Sequence, residues 1–433
     1  MLAALLMAGC AGSVHASLPG EIITGGGPMN STKQQQVVNA LITNGNASAD
    51  EAHTAVIGAS KGTLLPVVAD VIGTGTKTGQ NIQNALNSGG TSVLGSIRIF
   101  SGATATAGVN AAGNTVAAIG APGGTLSNRM GAVRNQYRAS AEKFGANSAM
   151  ASAYMNNDLA NRVWVSPFYV YQDMEKKDGY AAYSYKAYGG SLGYDRVFGP
   201  VTVGAAFTYS RGDYDEKGIT DDTTIDNYGG SGYATYYSVC SGFWAGIAGG
   251  YNYGKNDLKS FDAIANDWQV GKNHTNTYWA GGNLGYDFNL GPNWILTPSA
   301  GLFWSDSKSS SYNSTGPYDM IVGKIKNKSL LMPLDLSATY TAHIDECSSV
   351  SVKVSGGYNY NIKNDGAEGS MRYNYAGSGS VFIQGVKPGR HGWNAGAGVK
   401  YTRNNIDVGV DYRYDGKKKY QGHRVSATIG VSF

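Results

Sequence analysis

From Arg162 to Phe433 one pattern recurs: a run of about ten residues in which apolar side chains alternate with small or polar ones, then a turn. Val201, Val203, Ala205, Phe207 and Tyr209 alternate with Thr202, Gly204, Ala206 and Thr208. Ile406, Val408, Val410, Tyr412 and Tyr414 alternate with Asp407, Gly409, Asp411 and Arg413. A period of two places successive side chains on opposite faces of a β-strand. Twelve such segments are readable, near 162–172, 184–196, 200–211, 225–238, 241–254, 275–289, 293–305, 329–343, 348–361, 391–403, 405–414 and 421–433. Tight links such as "VFGP", "LGPN" and "RNN" follow the even segments. Long polar stretches, among them "KNDLKSFDAIANDWQVGKNH" and "SKSSSYNSTGPYDMIVGKIKNK", follow the odd ones and are expected to be loops. Short turns at one end and long loops at the other mark a barrel inserted into a membrane from one side.

The two faces choose the solvent. The less apolar face carries Asp195, Asp287, Asp335, Lys353, Lys400, Asp407, Asp411 and Arg413, charge that a dry interior would not hold unpaired. A wet lumen holds it, and the Val, Ile and Tyr face then meets lipid, with tyrosines near the strand ends where interfacial girdles lie. Closure of the sheet would remove its edges. Pro298 cannot donate to a ladder, so a bulge or a ladder break is expected there. In the last strand Val425, Ala427, Ile429, Val431 and Phe433 share one side, which puts Phe433 at the short-turn girdle.

All 30 tyrosines and all 7 tryptophans lie at or after Tyr137, so the chain divides into parts built for different surroundings. The net charge of +4 is dispersed, without the basic patch of a nucleic-acid binder, and three cysteines rule out a disulfide scaffold. Beyond the N-terminus no run approaches the roughly 20 apolar residues of a membrane-spanning helix. "MLAALLMAGCAGSVHAS" reads as the apolar region of a signal peptide, cleaved between Ala16 and Ser17. Its cationic beginning is expected upstream, and "LMAGC" offers lipidation at Cys10 as the alternative.

Between 125 and 161, "TLSNRMGAVRNQYRASAEKFGANSAMASAYMNNDLAN" reads as helix: Met130, Val133, Tyr137, Ala141 and Phe144 form one stripe, with Ser127 as N-cap. A helix placed just before a polar-lumen barrel is expected to plug it over about 127–144. Arg134 and Arg138, one turn apart, are expected to meet lumen carboxylates among Asp195, Asp287, Asp335, Asp407 and Asp411. In residues 17–124, "KQQQVVNALI", "SADEAHTAVIGA" and "GQNIQNALN" suggest short helices, and a flexible stalk is expected beyond Gly89. The expected fold is all-β: a twelve-stranded antiparallel transmembrane β-barrel over 162–433, an α-helical linker through its lumen over 125–161, and a short, mainly helical or irregular N-terminal segment.

Several motifs carry a resemblance. "SNRMGAVR" resembles the opening of the linker helix of type V autotransporters, "NRVWVSP" their first strand, and "GGNLGYDFNLGPNWILTPSAGLFWSDSKSSSYNSTG" their central hairpin. "GAGVKYTRNNIDVGVDYRYDGKKKYQGHRVSATIGVSF" is similar to their closing strands. The resemblance implies an outer-membrane translocator barrel that carries residues 17–124, as a short passenger, to the cell surface. It also implies contact with outer-membrane lipid, periplasmic chaperones and the barrel-assembly machinery, a monomeric barrel, and Val425, Ile429, Val431 and Phe433 as assembly signal. Some relatives cut their linker at an Asn-Asn pair; Gly124 and Thr125 stand there in this chain, and cleavage is not carried over.

Other chemistries find thin support. "VIGTGTKTGQNIQ" is glycine-rich but has neither phosphate-loop spacing. "HIDEC", His343 to Cys347, has metal-type side chains on a tight turn, and Cys240 and Cys347 sit in turns four strands apart. His274, His391 and His423 fall in no catalytic stretch. No enzyme activity, cofactor or metal is expected; the competing functions are a passive porin and, further off, a barrel hydrolase.

Overall fold

The computed structural model describes residues 160–175, 182–238, 241–345, 348–375, 378–387 and 389–433, with 67–68, 71, 75–87, 96, 99, 103–106, 109, 126, 129–131 and 134. Ala16, Ser17, Ser127, Arg138, the three cysteines and the helices expected at "KQQQVVNALI" and "SADEAHTAVIGA" lie outside these. The described residues of the N-terminal portion include the helix α1 (Lys77–Asn87) and a 3-10 turn, Ala103–Thr106.

The strands are β1 (Asn161–Met174), β2 (Tyr183–Phe198), β3 (Val201–Glu216), β4 (Thr220–Asp221), β5 (Thr223–Tyr237) and β6 (Phe243–Asp262). Then come β7 (Asp267–Tyr286), β8 (Phe288–Asn289), β9 (Trp294–Ser309), β10 (Tyr312–Thr315), β11 (Met320–Val322) and β12 (Lys326–Asp345). The series ends with β13 (Ser348–Tyr373), β14 (Val381–Gln384), β15 (His391–Arg403), β16 (Ile406–Lys417) and β17 (Tyr420–Ser432). They form one 17-stranded antiparallel sheet. It closes on itself, because β1 pairs with β2 on one edge and with β17 on the other. At the seam Asn161 and Phe433 exchange both backbone hydrogen bonds, at 2.8 and 3.0 Å.

The alternation read from sequence becomes two opposed surfaces. On β1, Arg162, Trp164, Ser166, Phe168 and Val170 point inward and are buried, while Val163, Val165 and Tyr169 point outward and are more than 40% exposed. On β17 the outward set is Val425, Ile429, Val431 and Phe433, and the buried set includes Arg424, Ser426 and Ser432. Apolar surface left facing water costs ~25 cal/mol per Å2, so a wall of this polarity is stable against hydrocarbon. Its outer face carries aromatic pairs at two heights: Tyr209–Tyr228, Tyr251–Tyr278 and Trp393–Tyr414 on the hairpin side, and Tyr236–Phe243, Tyr286–Phe288 and Trp294–Tyr340 on the short-turn side. From Tyr228 to Tyr236 on β5, a ~3.3 Å rise per residue and a ~40° tilt give roughly 20 Å of wall, close to a bilayer's apolar band. Among the described residues no helix is long and apolar enough to cross a membrane.

Two expectations need restating. The long polar stretches are strand for much of their length: β6 continues to Asp262 and β7 begins at Asp267, with Phe261 against Trp268 at the tip. Likewise β9 runs to Ser309, and β10 and β11 pair with each other before β12 begins. Outside the bilayer nothing requires a hairpin arm to keep an apolar face, so the alternation fades where the ladder does not. At Pro298 the ladder to β7 breaks without a bulge: Gly285 pairs with Ser299, the next pair is Phe288 with Leu296, and the register is unchanged.

Candidate functional site

Some residues N-terminal to β1 lie in the lumen. Leu126, Arg129, Met130, Gly131 and Arg134 are helical. Leu126 and Met130 pack into an apolar cluster with Trp164, Ala206, Tyr233, Trp279 and Phe303, all from the inner wall. Arg134 lies near the short turns, beside Asp287.

Two arginines fix this segment. Arg129 donates twice to Asp195 of β2, from Nε to Oδ2 at 2.7 Å and from Nη2 to Oδ1 at 2.6 Å. The Tyr233 hydroxyl of β5 donates to the same Oδ2 at 2.6 Å and accepts from Trp164 Nε1 at 3.1 Å. Asp195 and Tyr233 meet because Gly204, which pairs with both across β3, leaves the wall bare between them; a Cβ there would collide with the tyrosine ring. Arg134 Nε lies 3.3 Å from Asp287 Oδ2, its guanidinium 4.6 Å over the Trp244 ring, and Asp287 Oδ1 accepts from Thr297 at 2.7 Å. Forked guanidiniums serve carboxylates with two bonds, and burial strengthens each.

A third buried pair belongs to the wall. Arg162 of β1 reaches over Gly430 of β17 to Asp407 of β16, spanning the closing strand. Any side chain at position 430 would collide with that guanidinium.

Of the five carboxylates named from sequence, Asp287 faces Arg134, Asp195 takes Arg129, and Asp407 takes Arg162. Asp335 has Arg413 at 3.9 Å and accepts from Asn394 at 2.9 Å, and Asp411 makes no ion pair among the described residues. Sequence reasoning passed over Arg129, Arg162, Tyr233 and Trp164. Arg129 stood beside Met130 in the helix stripe, which was the available signal; which wall it would face was not.

At the hairpin end the N-terminal residues rest on the barrel. Thr76 caps α1, accepting from Gly79 N at 3.2 Å. Lys77 donates to Gly316 O at 3.0 Å, Asn81 to Pro317 O at 2.8 Å, and Thr78 accepts from Asp319 N at 3.2 Å. The lysine and threonine of the glycine-rich stretch are thus engaged in docking. Ser96 donates to the buried Asp262 at 2.8 Å, which also accepts from Tyr318 at 2.6 Å. In the stretch expected to be a stalk, Ser96, Ile99, Ala105, Thr106 and Val109 are buried, and the 3-10 turn meets β13 and β14.

The three histidines weighed as catalytic stand among tyrosines: His274 stacks on Tyr253, the Tyr358 hydroxyl meets His391, and the Tyr412 hydroxyl lies 2.8 Å from His423 Nδ1. Asp345 of the "HIDEC" turn accepts from Ser348 at 2.6 Å, an ordinary turn bond.

The family model for the autotransporter β-domain matches residues 163–413. Among curated proteins the chain is 26% identical over 339 residues to outer membrane protein B of Rickettsia prowazekii, covering 71% of this chain and 20% of that one. Its likeness to the protein of the same name from Rickettsia rickettsii is 30% over 210 residues, 44% of this chain and 12% of that one. The chain thus spans a fifth or less of the length of these relatives. The translocator domain of the autotransporter NalP from Neisseria meningitidis superposes with a TM-score of 0.50 at 14% identity, over 71% of this chain and 98% of that one. The β-domain of the Bordetella autotransporter BrkA also scores 0.50, at 16% identity, over 63% of this chain and 100% of that one. At such identities the likeness is one of fold.

Proposed function

This chain belongs to the autotransporter β-domain family, and we propose that it is an outer-membrane autotransporter whose barrel displays the segment before it at the cell surface. The observation that supports this reading is the helical peptide in the lumen: Arg129 and Arg134, which precede β1 in the chain, are held by Asp195 and Asp287, as the end of an exported segment would be. We read 125–161 as the linker and lumen plug, with Arg138 continuing the face of Arg134, and 17–124 as the passenger. The wall is counted as twelve long strands, β1, β2, β3, β5, β6, β7, β9, β12, β13, β15, β16 and β17, each paired with two neighbours in a ring, the shorter strands extending the hairpins. The short turns face the periplasm, the side from which such barrels insert.

The outward row Val425, Ile429, Val431 and Phe433 is the proposed assembly signal, offered to the assembly machinery and chaperones before β17 zips to β1. The finished barrel is read as a monomer in lipid. The family is one of secretion, and the histidines against tyrosines favour a structural place over a hydrolytic one. Surface protease on intact cells, with an epitope tag inserted near Lys33, tests the export reading. Removal of the tag while the barrel survives supports it. A tag that stays protected until the outer membrane is breached refutes it.

A further inference from the structure

The helix in the lumen leans to one side. Its arginines meet Asp195 of β2, Trp244 of β6 and Asp287 just after β7, and its apolar residues pack with residues of β1, β3, β5, β7 and β9. Beside it lies a cavity of about 110 Å3, bounded by Met130, Gly131 and Arg134 on the helix, by residues of β5, β6, β7 and β9 on the near side and by residues of β12, β13, β15, β16 and β17 across from it.

That opposite wall is a ladder of cations. Arg413 of β16 pairs directly with Arg424 of β17. Two residues along β16 towards the short turns, Asp411 pairs with Gly398 of β15, which pairs with Lys353 of β13. A further two residues along, Gly409 pairs with Lys400. Each step of two is roughly 6.7 Å along the strand. Arg413 spends its charge on Asp415 at 3.1 Å and Asp335 at 3.9 Å. Arg424, only 8% exposed, makes no side-chain hydrogen bond or ion pair among the described residues, and neither do Lys353 and Lys400. Arg424 and Lys353 line the cavity. Asp411 is the carboxylate set between these levels; with Asp335 and Asp415 sharing Arg413, the four cations of this wall outnumber its three carboxylates among the described residues. Like charges placed opposite one another on neighbouring strands destabilise a sheet unless something neutralises them. In a narrow, low-dielectric passage such an excess attracts counter-ions and repels ions of its own sign.

We propose that the slot beside the helix is an anion path, so that the barrel passes small anions in preference to cations whenever its lumen conducts. The inference rests on the reading of the lumen given above. It is tested with the full chain, purified in detergent, shown folded by its heat-modifiable migration, and reconstituted in planar bilayers under a KCl gradient. The expected reversal potential corresponds to a severalfold preference for chloride over potassium. The double variant Lys353→Glu/Arg424→Glu, equally heat-modifiable, is expected to abolish or invert that preference. A reversal potential near zero, or one favouring potassium, in the unaltered chain overturns the proposal and leaves the export reading standing. Where the unaltered chain is silent, the same recording is made on Arg129→Ala/Arg134→Ala, whose helix has lost both anchors. Silence of both proteins overturns the anion path and the lumen reading together.

Discussion

Arg129 is the residue on which the seat of the lumen helix turns. Both it and Asp195 are nearly fully buried, and Tyr233 donates a third hydrogen bond to that carboxylate. Removing one member of such a pair strands a charge and costs about 3–5 kcal/mol. Arg129→Ala is therefore expected to lower the temperature at which the folded band converts to the unfolded one. Arg129→Lys, which keeps the charge and loses the fork, should fall between the two. Equal behaviour of wild type and both variants would show that the pair holds nothing. A second residue reports on pH. Asp221, at the tip of the β3–β5 hairpin, is pushed up to about 7, first by burial and then by the nearby Glu216 and Asp215, against the hydrogen bond from Thr223. The folded form then keeps a proton that the unfolded chain releases near the ordinary carboxylate value, about 4. Stability from this group is full below that value and lost as pH rises through about 7. Amide protection factors around Ile219 to Thr223 should fall between pH 5 and pH 8, and Asp221→Asn should remove the difference. A pH dependence that persists in the variant would place its origin elsewhere.

At the scale of strands, closure depends on the seam. Arg162 and Asp407 belong to the two strands that flank β17, so their contact ties first and penultimate strands across the last one. Asp407→Asn should destabilise the barrel by about 3 kcal/mol or more in urea unfolding. Gly430→Val, which changes no charge, should do so too by displacing the guanidinium. A barrel indifferent to both would mean that strand pairing alone closes it. The strands were legible because bilayer and lumen impose opposite polarities on alternate residues, as in Val163 against Arg162 or Val431 against Ser432. Beyond the bilayer that constraint lapses, and stretches such as Lys255 to Asp262 read as loop while folding as strand. The partners of the arginines were illegible for another reason. Asp407 is brought to Arg162 by the pairing of the last strands with the first, and Asp195 to Arg129 by where the helix sits in the lumen, and no local pattern encodes either.

For the whole molecule, the proposed topology is directional: it puts the chain before the barrel outside and the short turns in the periplasm. Lys77 is a suitable outside probe, since its side chain is well exposed at the hairpin end beside Asp267. Gly291, in the turn between β8 and β9, is a suitable inside one. The most direct measurement places a single cysteine at each, with Cys10, Cys240 and Cys347 replaced by serine, and treats intact cells with a membrane-impermeant maleimide. Lys77→Cys should label in intact cells, and Gly291→Cys only after the outer membrane is opened. Labelling of Gly291→Cys in intact cells, with Lys77→Cys protected, would reverse the topology and contradict the account.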